Sequence, residues 1–151
     1  MAITRADTLT TAKRKFEYYS DFVTSFNKTP IGNQLGKVSN EESVNQSLRN
    51  LIKTNYGERF FQPGLGSNIY ASLFDPNTEI LRNKLEFYIE NTIKNNERRV
   101  NLIKVEVLTS ESLINGRYAN VDSNTVEIII TYSLINSVAP TVLTVILKRI
   151  R

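Results

Sequence analysis

The spacing of apolar residues changes once along the chain. Between residues 39 and 97 they recur at helical intervals, and from Val100 onward they alternate with polar positions. In SNEESVNQSLRNLIKT, Val44, Leu48, Leu51 and Ile52 form one apolar stripe of a helix. Ser39 and Glu42 stand at the spacing of a capping box, which predicts that the helix starts at Ser39, and Gly57 marks its end. The stretch GERFFQPGLG that follows cannot be regular, because Pro63, Gly64 and Gly66 interrupt it. Its adjacent phenylalanines, Phe60 and Phe61, are expected to anchor the loop, and a short helical turn is expected over Ile69 to Phe74.

A second cap signal lies in DPNTEI. From Thr78 to about Asn96, Leu81, Leu85, Tyr88, Ile89, Thr92 and Ile93 share a stripe, giving the longest helix of the chain. The opposite face carries Arg82, Lys84, Glu86, Glu90 and Lys94. Arg82 with Glu86 and Glu90 with Lys94 form i,i+4 pairs, each contributing about 0.3 kcal/mol; as a group these charges read first as a solvated face.

After the helix the period falls to two. Ile103, Val105 and Val107 alternate with Lys104 and Glu106; Val126, Ile128, Ile130, Tyr132 and Leu134 alternate with Glu127, Thr131 and Ser133. A third run, TVLTVILKRI, puts Leu143, Val145 and Leu147 on one face and Val142, Ile146 and Ile150 on the other. The connections NGRYANVDSN and NSVAP are rich in turn formers, so an antiparallel meander is the economical topology. Helices followed by strands predict an α+β fold: an N-terminal aromatic arm, then two main helices packed on a C-terminal antiparallel sheet of about three strands. The arm covers residues 1–37 and the domain 38–151, with helices in 39–97 and the sheet in 100–150.

The last strand raises a physical question. A terminal strand of a meander is often an edge, and natural edges are blunted with Lys or Pro. Pro140 precedes this one and the basic residues come at its end, which leaves Val142, Leu143, Thr144, Val145, Ile146 and Leu147 unprotected. Either a crossover makes the strand central, or it pairs with a strand of another chain.

Composition removes several classes of function. With 151 residues and 40% hydrophobic content the chain suits one cored domain. It has no Cys and no His, which excludes thiolate zinc sites, disulfides and nucleophiles activated by imidazole. No cofactor, metal or small-molecule substrate is expected. Of the formal charge of +4, Lys148, Arg149 and Arg151 supply +3 after the last acidic residue, Glu127. That leaves +1 for the rest, too little for a nucleic-acid surface, although KRKFEYY at 13–19 interleaves basic and aromatic residues. Those aromatics, with Phe22 and Phe26, imply that the arm docks on some surface. The first residues hold no apolar core of signal-peptide type, and no stretch approaches the length of a membrane span, so no membrane partner is expected. Glu58, Asp75, Glu79 and Glu97 could furnish a carboxylate pair for glycoside hydrolysis, but their spacing selects no two of them. No catalytic residue is assigned.

The order of helix, TNYGERFFQPGLGSNIYASLFDP, and long helix closing in NNERRVNLIKVEV resembles the baseplate wedge family of contractile-tailed bacteriophages. That family includes the sheath initiator of T-even phages and a baseplate subunit of type VI secretion systems. The resemblance spans about Val38 to Ile135. Thr54, Gly57, Glu58, Arg59, Pro63, Gly66, Leu73, Phe74 and Asp75 occupy the family's motif positions. Its signature at the end of the long helix is Glu-Pro-Arg; here Glu97, Arg98 and Arg99 stand there, with Arg in place of Pro. Proline would end the helix outright, whereas Arg98 permits another turn.

The resemblance implies a structural protein of the virion tail baseplate, assembled in the host cytoplasm, in six copies around the tail. Its partners would be other baseplate wedge proteins and the tail sheath. Glu97, Arg98 and Arg99 would contact the wedge core, with Glu97 and Arg99 bonded to it, and the strand around Val142 to Leu147 would pair with sheath strands. The equivalent subunit of a type VI or related injection system is the alternative setting. Some members carry a lysozyme label, for which no residue pair here gives support.

Overall fold

The computed structural model describes residues 16–28, 34–110, 112–114, 117–118, 122, 124–137 and 139–148. The basic residues Lys13 to Lys15, Pro30 and Gly32 of the arm, and the tail Arg149, Ile150 and Arg151 lie outside them. In chain order the elements are β1 (Ser20–Phe22), β2 (Lys37–Ser39), α1 (Glu41–Lys53), α2 (Ile69–Ser72), α3 (Glu79–Asn96), β3 (Val100–Leu108), β4 (Leu113–Ile114), β5 (Arg117–Tyr118), β6 (Thr125–Leu134) and β7 (Pro140–Lys148).

The expected meander is present. β3, β6 and β7 form an antiparallel sheet in that order, and the two-stranded β4–β5 ribbon interrupts the β3–β6 connection. α3 lies along β3, and α1 packs against α3 and β7. Along β6 every second residue from Val126 to Leu134 is buried, and Val105, Val107, Leu143, Val145 and Leu147 extend that inner face. Val44, Leu48, Ile52, Leu81, Leu85, Ile89 and Ile93 close the core from the helices. The pleat and the helical repeat thus place the two stripes opposite each other, and burying both supplies the main drive to fold.

Three local expectations are corrected. Ile103 is not on the inner face: the β3–β6 register slips between Leu102 and Lys104, and the residue in the bulge is exposed. An extra residue in one strand shifts the alternation, so Leu102 packs against the core instead. α1 does not start with a capping box at Ser39, which belongs to β2; Asn40 is the N-cap, at φ 52°, and caps nothing with its side chain. That side chain is used elsewhere: Asn40 Oδ1 accepts the Tyr18 N–H at 2.9 Å, and Nδ2 donates to the Phe16 carbonyl at 2.9 Å. On α3, Arg82 does not pair with Glu86. It lies 3.7 Å from Glu79, and Glu86 accepts the Val107 N–H at 3.1 Å, tying the helix to β3. The Glu90–Lys94 pair forms at 2.9 Å, and Thr78 caps α3 through its Oγ1 and the Leu81 N–H.

The arm docks on its own domain in part. β1 pairs antiparallel with β2, and Tyr19 packs against the core, while Phe16, Tyr18, Phe22 and Phe26 remain exposed.

Candidate functional site

α3 ends at Asn96 even without a proline behind it. Glu97 is extended (φ −117°, ψ 98°), and its N–H still donates to the Ile93 carbonyl at 2.8 Å. The Glu97 side chain accounts for the stop. Its Oε1 accepts Arg99 Nε at 2.7 Å and the Arg99 N–H at 3.3 Å, and its Oε2 accepts Arg99 Nη2 at 2.6 Å and Ser47 Oγ at 2.9 Å. A carboxylate that receives a two-point guanidinium fork and a hydroxyl from α1 holds the chain in one turn. Arg98 would permit another turn, but the helix ends at Asn96, where the sequence places its end.

Glu97 is 7% exposed and Arg99 about a third exposed. Burial alone would raise the Glu97 pKa, but the hydrogen bonds from Arg99 and Ser47 prevail and hold it below the usual carboxylate value. Arg99, bonded to Glu97, is raised in turn. Arg99 also stacks over the Tyr19 ring at 5.5 Å, and the Tyr19 hydroxyl accepts Asn136 Nδ2 at 3.2 Å. The carbonyl of Arg99 accepts the Ile135 N–H at 3.1 Å. The Glu97–Arg99 pair, with the Arg99 carbonyl, thus ties together the arm, α1, the end of α3 and the exit of β6. Close by, the buried Tyr132 donates to Asn45 Oδ1 at 2.8 Å; burial, then Glu41 and Glu97, push its phenol up to about 12.

Of the three charged residues at this junction, two spend their strongest hydrogen bonds on each other. Arg98 is exposed, and what faces outward is Arg98 with the free part of Arg99. Ser47 was not singled out from sequence, and Tyr19 only as one of the aromatics by which the arm was expected to dock. Ser47 did leave a signal, a polar residue beside the apolar stripe of α1.

The motif around GERFF is one knitted loop. Thr54 Oγ1 donates to the Asn50 carbonyl at 2.7 Å, and the Thr54 carbonyl accepts the Ser67 N–H at 2.9 Å. Gly57, at φ 81°, donates to the Pro63 carbonyl at 2.8 Å. Glu58 Oε2 accepts the Asn55 N–H at 2.8 Å. Gly66 sits at φ 129°, where a Cβ would lie 2.6 Å from the Thr54 carbonyl. Only glycine permits that approach. Leu73 is buried, Phe74 is exposed, and Asp75 pairs with Lys84 at 2.9 Å. Arg59 and Leu65 share a cleft of about 200 Å³ with Asn96 and Glu97, so the loop and the junction form one corner of the molecule.

Phe60 and Phe61 correct the expectation of an anchored loop. They are 97% and 100% exposed, because the turns closed by Gly57 and Pro63 direct them away from the core.

The last strand is an edge. β7 pairs with β6 on one side, and among the described residues no strand pairs with its other side. Leu143, Val145 and Leu147 face the core, and Val142, Thr144 and Ile146 face outward. The crossover alternative is thereby set aside.

The four carboxylates considered for catalysis are separately engaged. Glu58 holds an amide, Asp75 holds Lys84, Glu79 lies by Arg82, and Glu97 holds Arg99. A glycosidase acid needs a raised pKa, and that of Glu97 is lowered. Among the described residues no group of acidic side chains could hold a metal ion, and no helix is long and apolar enough to cross a membrane.

A free sheet edge, an outward aromatic loop and ion-paired carboxylates define an α+β module whose distinctive features lie on its surface. The baseplate wedge protein gp25 family matches residues 38–138, and the chain belongs to that family. No match was found among curated proteins. Of solved structures, the fold is similar to a Geobacter sulfurreducens protein described as a candidate tail lysozyme. There the TM-score is 0.63 and the identity 20%, over 76% of this chain and 96% of that one. It is also similar to a chain of the anti-feeding prophage baseplate, with a TM-score of 0.56 and 17% identity over 88% of this chain and 87% of that one. At such identities the likeness is one of fold.

Proposed function

We propose that the protein is a structural subunit of a contractile-tail baseplate wedge, located in the virion tail baseplate, that starts sheath assembly by pairing β7 with a strand of the first sheath ring. Family membership supports the baseplate role. The observation that carries the sheath role is the free edge of β7, a nine-residue strand with no proline or lysine between Thr141 and Leu147. The neighbouring subunits meet the corner formed by Arg98, the exposed part of Arg99 and the GERFF loop. Glu97 shapes that corner from within, and six copies surround the tail. Binding and strand pairing are the whole activity.

The structure determines which experiment is informative. Deleting residues 140–151 would remove Leu143, Val145 and Leu147 from the core, so loss of sheath would reflect unfolding. Thr144→Lys with Ile146→Lys instead places charge on outward positions of the edge. The expected result is unchanged melting, normal recovery in baseplates and no attached sheath. Sheath that still polymerises on such baseplates would refute strand pairing through β7.

A further inference from the structure

We infer that Phe60 and Phe61 are the anchor by which this chain docks on a neighbouring protein, inserting into an apolar surface whose rim carries carboxylates. The inference rests on the baseplate reading and names the chemistry of the partner there.

Two adjacent phenylalanines at 97% and 100% exposure gain nothing for the isolated fold. The segment that carries them is nonetheless held in place. Gly57 to Pro63, Glu58 to Asn55, Gln62 to Arg59 and Leu65 to Gln62 are successive backbone hydrogen bonds at 2.8–3.2 Å. A rigid loop that presents two rings outward loses little entropy when they are buried. Aromatic anchors in such settings carry much of the energy of an interface.

Charge selects the partner. Arg49 and Lys53 on the exposed side of α1, and Arg59 in the loop, make no ion pair among the described residues. Asn50 lines both the cleft holding Arg49 and Lys53 and the cleft holding Arg59, so the three cations border one surface. Of the acids in the same two clefts, Glu97 is held by Arg99 and Ser47, Asp21 accepts the Phe22 N–H and Gln46 Nε2, and Glu42 lies about two helical turns before Arg49, while one oxygen of Glu58 holds the Asn55 amide. A carboxylate rim complements that border.

The test uses full-length chain co-expressed with the other structural proteins of its tail, and the isolated baseplate is the probe. Phe60→Ser with Phe61→Ser is expected to melt like the wild type and to enter baseplates roughly tenfold less or worse. Arg59→Glu with Lys53→Glu is expected to weaken incorporation as well. A photo-cross-linking residue at position 61 is expected to reach an apolar segment flanked by Asp or Glu in another tail protein. Wild-type chain missing from baseplates would remove the baseplate reading itself. Wild-type and double-serine chains entering equally would overturn the anchor alone. Cross-links to a second copy of this chain would also overturn it, as would binding to phosphatidylglycerol vesicles or a single-stranded oligonucleotide that the double-serine change abolishes.

Discussion

Glu97 and Arg99 grip each other across a single intervening residue, with Nε and Nη2 of the arginine 2.7 Å and 2.6 Å from the two carboxylate oxygens. Because the pair spans the helix end, it converts α3 into β3 within three residues. Breaking it from one side leaves the other charge without its partner, which for a largely buried pair costs about 3 kcal/mol. Arg99→Ala, which leaves the largely buried Glu97 carboxylate unpaired, is therefore expected to lower the urea midpoint strongly, and Glu97→Ala somewhat less, since the Arg99 it leaves behind is about a third exposed. Midpoints within experimental error of wild type would contradict this account.

The same pair sets an acid limit. The folded-state pKa of Glu97 lies below its ordinary 4.5, so the unfolded chain takes up the proton first as pH falls. Its stabilising contribution is complete above the ordinary value and is lost as pH drops through the lowered one. Melting temperatures measured from neutral pH down through 4.5 should fall less steeply for Glu97→Gln than for wild type, from a lower starting point.

Tyr132 sets an alkaline limit with the opposite sign. Its phenol ionises at about 12 in the fold and near 10.0 when unfolded, so between these values the unfolded state loses its proton first and stability declines. Tyr132→Phe should flatten that decline and, by leaving Asn45 without its donor, cost about 1 kcal/mol at neutral pH. Urea titrations at neutral and alkaline pH separate the two effects.

Gly57 and Gly66 both have positive φ, but their surroundings differ. A Cβ at Gly57 meets nothing within 4 Å, whereas at Gly66 it meets the Thr54 carbonyl at 2.6 Å. Gly57→Ala should cost about 1 kcal/mol, the left-handed penalty alone. Gly66→Ala should cost several times as much, because the Thr54–Ser67 hydrogen bond must open. Equal losses in thermal melts would show that the loop relaxes freely.

Asn40 holds the arm with its side chain and meets the strand turn with an unusual φ of 52°. Asn40→Gly keeps that backbone accessible while removing both side-chain bonds. The Tyr18 amide should then exchange with solvent much faster, with the exchange of α3 unchanged. Equal rates at Tyr18 would mean that β1 and Tyr19 hold the arm alone.

What the sequence determined by itself was local. Helical spacing placed the stripes of α1 and α3, Thr78 marked the start of α3, and alternation gave the buried face of β6 and β7, because these follow from the repeat of the backbone. The motif order from Thr54 to Asp75 and the charged cluster at 97–99 were legible as a family pattern for the same reason: they are contiguous. Tertiary structure alone decided the rest. Ser47 reaches Glu97 across 50 residues and Asn45 reaches Tyr132 across 87, distances at which no local period operates. The bulge at Ile103 depends on its partner strand, and the outward turn of Phe60 and Phe61 on bonds closed by Pro63. Whether β7 is an edge depends on which strand lies beside it. Each is settled by how separate elements pack, and only a folded core fixes that.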